Sequence, residues 1–181
     1  MRGIKKNNKG YSLVELIIVI AIIAVVGMGA TMSIILVFSA NAKTCANDIV
    51  SAISECKVMT MTKGKGNVRV RIYRDGEGGT IYSELQTRET SGSDWVTGSA
   101  GREKIGASRC SVTAMAADGS EADIPTSPDS AWVFYFDRSS GKLLTEGSTV
   151  TSTTEMHVLG GSKHYVIKIE KLTGKITKEL V

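Results

Sequence analysis

An uncharged stretch of 27 residues, Leu16–Ala42, constrains this chain more than any other part of it. A helix of that length is long enough to cross a bilayer. A single carboxylate, Glu15, stands immediately before the stretch. Because a charged side chain at the bilayer centre costs about 2.5 kcal/mol or more, we expect a positive group to neutralise Glu15.

A short basic leader precedes the apolar stretch. It ends in Gly10, and the segment Tyr11–Glu15 (YSLVE) joins it to the stretch. This order resembles the processing site of type IV prepilins, of the pseudopilins of type II secretion and of pilin-like competence proteins. The resemblance implies cleavage after Gly10 by a prepilin peptidase and N-methylation of Tyr11 as the new amino terminus. Phenylalanine is the usual residue there, so Tyr11 departs from the family pattern.

The resemblance also implies a role for Glu15. In the family, this glutamate pairs with the amino terminus of a neighbouring subunit. Each charge is costly alone in an apolar filament core, and pairing neutralises both. Cleavage after Gly10 creates that amine, so processing and assembly form one mechanism.

Two other classes of protein share parts of this pattern. A Sec signal peptide has an apolar core of about 7–15 residues, shorter than the stretch before the small-x-small site at Ala40–Ala42. An ordinary single-pass anchor has the same cationic cytoplasmic flank but needs neither Gly10 nor Glu15. The residues predicted to set membrane orientation are the leader cations Arg2, Lys5, Lys6 and Lys9.

The basic character of the chain resides in its leader. The full sequence has 22 lysines and arginines against 18 aspartates and glutamates, and removal of residues 1–10 leaves equal numbers. Neutrality argues against a nucleic-acid partner. A weak DNA-binding patch remains as an alternative in the C-terminal hairpin, formed by Lys168, Lys171, Lys175 and Lys178.

The sequence divides into four segments. They are a removable leader (1–10), a transmembrane or filament-core helix (11–42), an amphipathic continuation of that helix (43–62) and a β-rich globular head (63–181). In the third segment, apolar residues recur at three- and four-residue steps and form one stripe. Its members are Cys45, Ile49, Ala52, Ile53, Cys56 and Met59.

The head is predicted to consist of strands and turns. Alternating and apolar runs predict strands at 67–73, 80–85, 131–136, 142–144, 164–170 and 175–178, with weaker ones at 105–115 and 155–159. Ser/Thr/Gly-rich segments at 86–103, 117–130 and 145–154 are predicted as surface loops. The fold class is therefore α+β, with a long helix whose amphipathic half packs on an antiparallel sheet. Such a head resembles that of minor pseudopilins.

The chain has three cysteines, so at least one stays unpaired whichever two form an intramolecular disulfide. Cys45 and Cys56 are about three helical turns apart, or ~16 Å of rise, and cannot bridge each other along a straight helix. Either of them can meet Cys110 in the head, so at most one disulfide is expected. Whether Cys110 would pair with Cys45 or with Cys56 stays open. We favour three buried free thiols.

No residue pattern indicates catalysis, a metal or a cofactor. His157 and His164 have no acidic or cysteine cluster beside them and are expected to be ordinary sheet residues. Asp118–Asp123 contains three carboxylates without the spacing of a calcium loop. Trp95 is predicted either as an exposed interface anchor or as a side chain folded back over the sheet edge.

These patterns predict a structural subunit, a minor pilin or pseudopilin of a type IV pilus or type II secretion-like filament. The expected partners are a prepilin peptidase/methyltransferase, other pilin or pseudopilin subunits, an inner-membrane assembly platform and membrane lipid. The expected location is the plasma membrane, with a single span and an extracytoplasmic head, and a cell-surface or periplasm-spanning filament after assembly. The alternatives are a pilus-associated binding module for DNA or adhesion and a non-polymerising anchored protein.

Overall fold

A computed structural model describes residues 11–62, 67–89, 92–115, 120–144 and 155–181, without the side chains of 28–32, 67, 99 and 100. The predicted leader and the predicted loop at 145–154 lie outside these residues. The chain divides into two compact units, Met1–Ile35 and Leu36–Val181. The division falls within one helix, α1 (Leu13–Thr62). The predicted continuous helix, ending near Thr62, is therefore confirmed.

Within the first unit, the described side chains of α1 face solvent. Ile17 is 56 % exposed and Val26 is 66 % exposed. Over the residues that the structure describes, no helix is both long enough and apolar enough to cross a membrane.

In the second unit, the C-terminal half of α1 has one buried face. Seven of its side chains are buried: Ala42, Cys45, Ala46, Ile49, Ile53, Cys56 and Thr60. Ala52 and Met59, two members of the predicted stripe, are partly buried and pack against this core. The spacing of the buried residues follows the helical repeat, so the predicted amphipathic face is confirmed.

The described part of the head contains nine strands. In chain order they are β1 (Asn67–Arg74), β2 (Ile81–Arg88), β3 (Val96–Gly106), β4 (Ser111–Met115), β5 (Glu121–Asp123), β6 (Trp132–Tyr135), β7 (Glu155–Gly160), β8 (Lys163–Ile169) and β9 (Ile176–Leu180). One sheet has the order β3-β2-β1-β6 and the other β5-β4-β7-β8-β9. Every neighbouring pair is antiparallel. The α+β fold class is confirmed.

Four details of the predicted strand pattern are wrong. The predicted loop at 86–103 contains most of β3, and the loop at 117–130 contains β5. Both strands have little apolar alternation, because each lies at the edge of a sheet and pairs mainly through its backbone. The predicted strand at 105–115 is two strands in different sheets, separated by a turn in which Cys110 N–H donates to the Ala107 carbonyl (3.1 Å). The predicted strand at 142–144 is a single bridge between Phe136 and Leu143.

The buried face of α1 and the apolar faces of both sheets form one hydrophobic core. At the end of β7 the sheet backbone comes unusually close to the helix. A Cβ atom on Gly160 would lie 2.8 Å from the Phe38 carbonyl oxygen and 2.9 Å from the Ala42 Cβ. Glycine is therefore required at residue 160, since any side chain would push β7 away from α1.

A buried arginine links the two sheets. Arg74, at the end of β1, is 8 % exposed and donates hydrogen bonds to three carbonyl oxygens. The acceptors are Gly79 (2.8 Å), Ser108 (3.1 Å) and Cys110 (2.6 Å). Ser108 and Cys110 lie in the segment that leads into β4. This guanidinium therefore links the C-terminal end of β1 in one sheet to the start of β4 in the other.

Candidate assembly site at the start of the helix

Glu15 lies in the first turn of α1, where the helix begins with a hydrogen bond from Leu16 N–H to the Ser12 carbonyl (3.1 Å). The positive end of the helix dipole favours a carboxylate at this position by about 0.3–1 kcal/mol. Glu15, Tyr11, Leu16 and Val19 border an open groove of about 310 Å³. The groove is almost entirely apolar apart from this carboxylate.

The described residues contain no ion-pair or hydrogen-bond partner for the Glu15 carboxylate. Along α1, the first basic residue after it is Lys43. The side chains that follow Glu15 are apolar and exposed, including Ile18 and Ile22. A partial helix-end charge compensates a full negative charge incompletely, so the geometry leaves room for an external cation.

Residues 5–31 match the family model of the prokaryotic N-terminal methylation motif. The chain carries this methylation motif. It is the hallmark of type IV pilins and pseudopilins, and the predicted family resemblance is therefore confirmed. No curated protein and no solved structure has significant similarity to the chain.

The methylation motif spans the predicted cleavage site after Gly10, the predicted new amino terminus at Tyr11, and Glu15. Tyr11 is 83 % exposed and lies two residues before the start of α1. Gly10 and the four leader cations lie outside the described residues. The individual roles given to these residues stay predictions.

The structure places three of the four hairpin lysines, Lys168, Lys171 and Lys175, along one open cleft, and Lys178 on the opposite face of the sheet. Lys168 forms ion pairs with Glu155 (3.5 Å) and Glu179 (3.9 Å) on one face of the second sheet. Lys178 projects from the opposite face, where it bonds the Asn47 side chain of α1. Lys171 and Lys175 lie in the turn between β8 and β9 and border an open cleft that also contains glutamates. The DNA patch predicted from these lysines is not tested by this arrangement.

The two histidines are closer to each other than the sequence indicates. They lie diagonally across β7 and β8, with His157 Nδ1 2.9 Å from His164 Nε2. The Glu155 carboxylate is 3.9 Å from His157 Nε2. Among the described residues there is no group of three or more His, Cys, Asp or Glu side chains arranged to hold a metal ion. In the predicted acidic segment Asp118–Asp123, Asp118 lies outside the described residues. The Glu121 carboxylate accepts a hydrogen bond from the Thr113 hydroxyl (2.5 Å).

A cationic and aromatic surface on the first sheet was missed by the sequence analysis. We call it the arginine face, and it consists of Arg69, Arg71, Arg88, Trp95, Arg102 and Tyr135. Trp95 folds back onto it, with the guanidinium carbons of Arg69 and Arg88 at 4.1 and 4.5 Å from the ring centroid. Partial burial and the nearby Arg71 and Arg88 lower the pKa of Arg69. Alternation in β1 places Arg69 and Arg71 on one face, but the strand that contributes Arg102 was predicted as a loop.

All three cysteines are free and buried, as we favoured from the sequence. Cys56 donates to the Phe134 carbonyl (3.8 Å), and burial raises the pKa of this thiol to about 12.

Proposed function

We propose that this chain is a structural subunit, a minor pilin or pseudopilin, of a type IV pilus or a type II secretion-like filament. In this role, a prepilin peptidase/methyltransferase removes residues 1–10 and methylates Tyr11. The N-terminal half of α1 inserts into the plasma membrane through an inner-membrane assembly platform and then enters the filament core. The head is displayed on the extracytoplasmic side.

One observation carries the proposal: a carboxylate with no partner among the described residues, inside a methylation motif, on the apolar and exposed N-terminal part of α1. The exposed apolar surface favours lipid or a bundle of like helices as its surroundings. In such surroundings the carboxylate needs a cation, and the amine formed by cleavage after Gly10 is four residues away in sequence on every subunit. A neighbouring subunit offers the same amine in trans, so this charge pair would join adjacent subunits.

The first experiment is the intact mass of the protein extracted from membranes. We expect a species that begins at methylated Tyr11. A chain that still begins at Met1 would overturn the proposal in favour of an uncleaved anchor, and one that begins at Lys43 would identify a Sec signal peptide.

The second experiment tests Glu15 itself. Glu15→Leu should leave the protein in the membrane but reduce its incorporation into sheared filaments by at least tenfold, because about 2.5 kcal/mol of charge neutralisation is lost. Glu55→Leu is the matched control, since Glu55 is an exposed carboxylate on the same helix and far from the motif. Normal incorporation of Glu15→Leu would contradict the assembly role.

A second candidate function is a binding module for a polyanion such as DNA, displayed by the same anchor. The arginine face supports it, because it combines four guanidinium groups with aromatic rings. Two ion pairs of this face lie within the described residues, Arg71–Glu84 (3.4 Å) and Arg102–Asp75 (3.5 Å). Arg69 and Arg88 also form cation–π contacts with the Trp95 ring.

Retention of the full-length protein on immobilised duplex DNA, at increasing salt, tests this second candidate. The double variant Arg69→Gln/Arg88→Gln should elute at lower salt than the unmodified protein. Lys168→Gln/Lys175→Gln removes the same charge from the hairpin patch predicted from the sequence, and a shift to lower salt in this variant alone would assign DNA retention to the hairpin and contradict the arginine face as the binding site. Elution of the unmodified protein without any salt-dependent retention would leave the structural role as the single function.

A further inference from the structure

We infer that His157 and His164 form a binding site for a divalent transition-metal ion, with Cu²⁺ as the ion bound most tightly. Each histidine supplies one ring nitrogen, and the remaining coordination positions are left to water. Both residues belong to the second compact unit, so this site is separate from the role proposed for the N-terminal half of α1.

The two histidines lie on the outer face of the second sheet. In β7, His157 alternates with Met156 and Val158, which are buried in the core. In β8, His164 directly precedes the buried Tyr165. The strand register places the two histidines diagonally on neighbouring antiparallel strands, where long side chains reach each other. The pairing of β7 with β8 therefore holds both rings on a rigid part of the fold.

The ring nitrogens that face each other are close enough to share one metal ion. His157 Nδ1 is 2.9 Å from His164 Nε2, and the ring centroids are 5.0 Å apart with an angle of 36° between the ring planes. Two nitrogens in adjacent positions of a square-planar or tetragonal Cu²⁺ complex are also about 3 Å apart, since each lies ~2 Å from the metal. Tetrahedral Zn²⁺ needs a larger separation, about 3.3 Å. The observed distance therefore favours Cu²⁺, which is also the divalent first-row metal that nitrogen ligands bind most tightly.

Without a metal, the two facing nitrogens are joined by a hydrogen bond. One ring donates its N–H to the other, and the tautomers decide which ring is the donor. When a metal ion binds, that proton moves to the other nitrogen of its own ring, and both facing nitrogens then offer a lone pair. The rings turn towards the metal by rotation about χ2, a torsion that is broad for histidine. The contact between the histidines is thus the metal-free form of the site.

The far nitrogen of His157 has a carboxylate beside it. His157 Nε2 is buried and has no hydrogen-bond partner among the described residues, and the Glu155 carboxylate lies 3.9 Å away. Metal binding at Nδ1 keeps the ring proton on Nε2, where it faces Glu155. A carboxylate in this position orients a metal-bound histidine and raises its basicity. Lys168 holds the other oxygen of this carboxylate (3.5 Å), so Glu155 is a positioning residue and the two histidines are the ligands.

The described residues supply two ligands and no third, since they contain no group of three or more His, Cys, Asp or Glu side chains arranged to hold a metal ion. Structural zinc sites are closed by four protein ligands, whereas this pair leaves positions open for water. The site therefore suits an exchangeable ion on the surface of the head. Hard cations such as Mg²⁺ prefer oxygen ligands, and we do not expect them to bind here.

The test uses the full-length protein in detergent, titrated with Cu²⁺ in the presence of glycine as a competing ligand. We expect one Cu²⁺ per chain above the background of the double variant His157→Gln/His164→Gln. The electron paramagnetic resonance spectrum of the complex should show coupling to two imidazole nitrogens. In nuclear magnetic resonance spectra, paramagnetic Cu²⁺ should broaden the imidazole signals of both histidines, which are the two histidines of the chain. Mg²⁺ at the same concentration should leave these signals unchanged.

Single variants distinguish binding through two nitrogens from binding through one. His157→Gln and His164→Gln should each weaken Cu²⁺ binding on the order of 100-fold, because a second ligand on the same scaffold acts at high effective concentration. Glu155→Gln should weaken it by about tenfold, as expected of a residue that orients a ligand. Glu77→Gln, which removes an exposed carboxylate from the turn between β1 and β2, is the control and should leave the affinity unchanged.

Two results would overturn the site. Equal Cu²⁺ binding by the unmodified protein and the double histidine variant would place the ion elsewhere on the chain. Coupling to fewer than two imidazole nitrogens would show that the rings do not bind one ion together, and this spectrum is recorded on the unmodified protein, so it decides the matter even if a variant does not fold. Unchanged affinity of Glu155→Gln would contradict the positioning role of that carboxylate. An uncleaved leader would contradict the proposed function and leave all of these results unchanged.

Discussion

The two halves of α1 contain similar side chains in different surroundings. In the C-terminal half, Ile49 and Ile53 are fully buried against the sheets of the head. In the N-terminal half, Ile17 and Ile23 are 56 % and 64 % exposed, and nothing in the first compact unit covers them among the described residues. The apolar face of the C-terminal half is therefore covered by its own chain. The N-terminal half presents an apolar surface that lipid or another subunit could cover.

This difference separates folding from assembly. A helix gains most of its stability in proteins from packing of an apolar face, and α1 obtains that packing from the head at one end. Substitutions at the buried end should change the stability of the subunit. Substitutions at the exposed end should act on membrane insertion or on contacts between subunits, and should leave the stability of the head unchanged.

The largest effect is expected from Ile53→Ala. Removal of a fully buried isoleucine side chain should lower the free energy of unfolding of the head by roughly 2–5 kcal/mol. The measurement is urea unfolding of the full-length protein in detergent, followed by the fluorescence of the buried Trp132. Ile23→Ala is the matched control and should change the midpoint by no more than about 0.5 kcal/mol. Equal destabilisation by both variants would abolish the distinction between the halves.

A smaller effect is expected from Gly174→Ala, in the turn that the buried half of α1 contacts through Lys57. The Lys57 ammonium donates to the Thr173 (2.9 Å) and Gly174 (3.1 Å) carbonyls. Gly174 has φ +59°, and a Cβ there would overlap the Gly141 carbonyl oxygen. The left-handed conformation alone costs about 1–2 kcal/mol for alanine, and the overlap adds to it.

Gly76→Ala is the control for that experiment. Gly76 has a similar φ of +74°, but no atom lies near its would-be Cβ. The free energy of unfolding measured in urea should therefore be lower for Gly174→Ala than for Gly76→Ala. The difference between the two variants measures the steric cost of the added Cβ at Gly174. If the two variants lose equal stability, the Gly174 turn is not held tightly against Gly141.

The smallest effect concerns Asp137, in the turn that carries Gly141 towards Lys57. Hydrogen bonds from Ser140 and Ser139 to its carboxylate lower the pKa of Asp137 from 3.8 to about 2. A lowered pKa in the folded state means that this contribution to stability is present above pH 4 and is lost as the pH falls towards 2. The carboxyl carbon shift, followed by nuclear magnetic resonance during an acid titration, gives the pKa directly.

The double variant Ser139→Ala/Ser140→Ala should return the pKa of Asp137 towards its ordinary value. Because Asp137 is exposed, the accompanying change in stability should be close to the detection limit. A titration midpoint that is the same with and without the two hydroxyls would show that the turn does not hold the carboxylate.

Much of the fold follows from local sequence patterns. The apolar stretch, the stripe in 43–62 and the alternation of Val68, Val70 and Ile72 predict the helix and β1, because one buried face imposes the period of the element. β3 escaped prediction, since an edge strand rich in glycine, serine and charge carries no such period. The two-sheet arrangement depends on a turn at 107–110 that the sequence analysis read as continuous strand.

The candidate sites divide in the same way, into those with a local sequence signal and those formed by distant segments. Glu15 was found from sequence because its signal is local: a glycine, a glutamate and an apolar run in fixed order. The meeting of Arg69 with Arg88 around Trp95 depends on strand pairing between segments that are distant in sequence. Pairwise contacts of that kind leave no periodic trace in one sequence, so the structure was needed to identify them.

The link made by Arg74 has a consequence for sequence variation. All three acceptors are main-chain carbonyls, so the link specifies a backbone path and leaves the side chain of Ser108 free to change. Gly79 is restricted for a separate reason, since a Cβ there would collide with the Asp75 backbone. Homologues should therefore tolerate wide substitution around this arginine while losing their inter-sheet connection if the arginine itself is replaced.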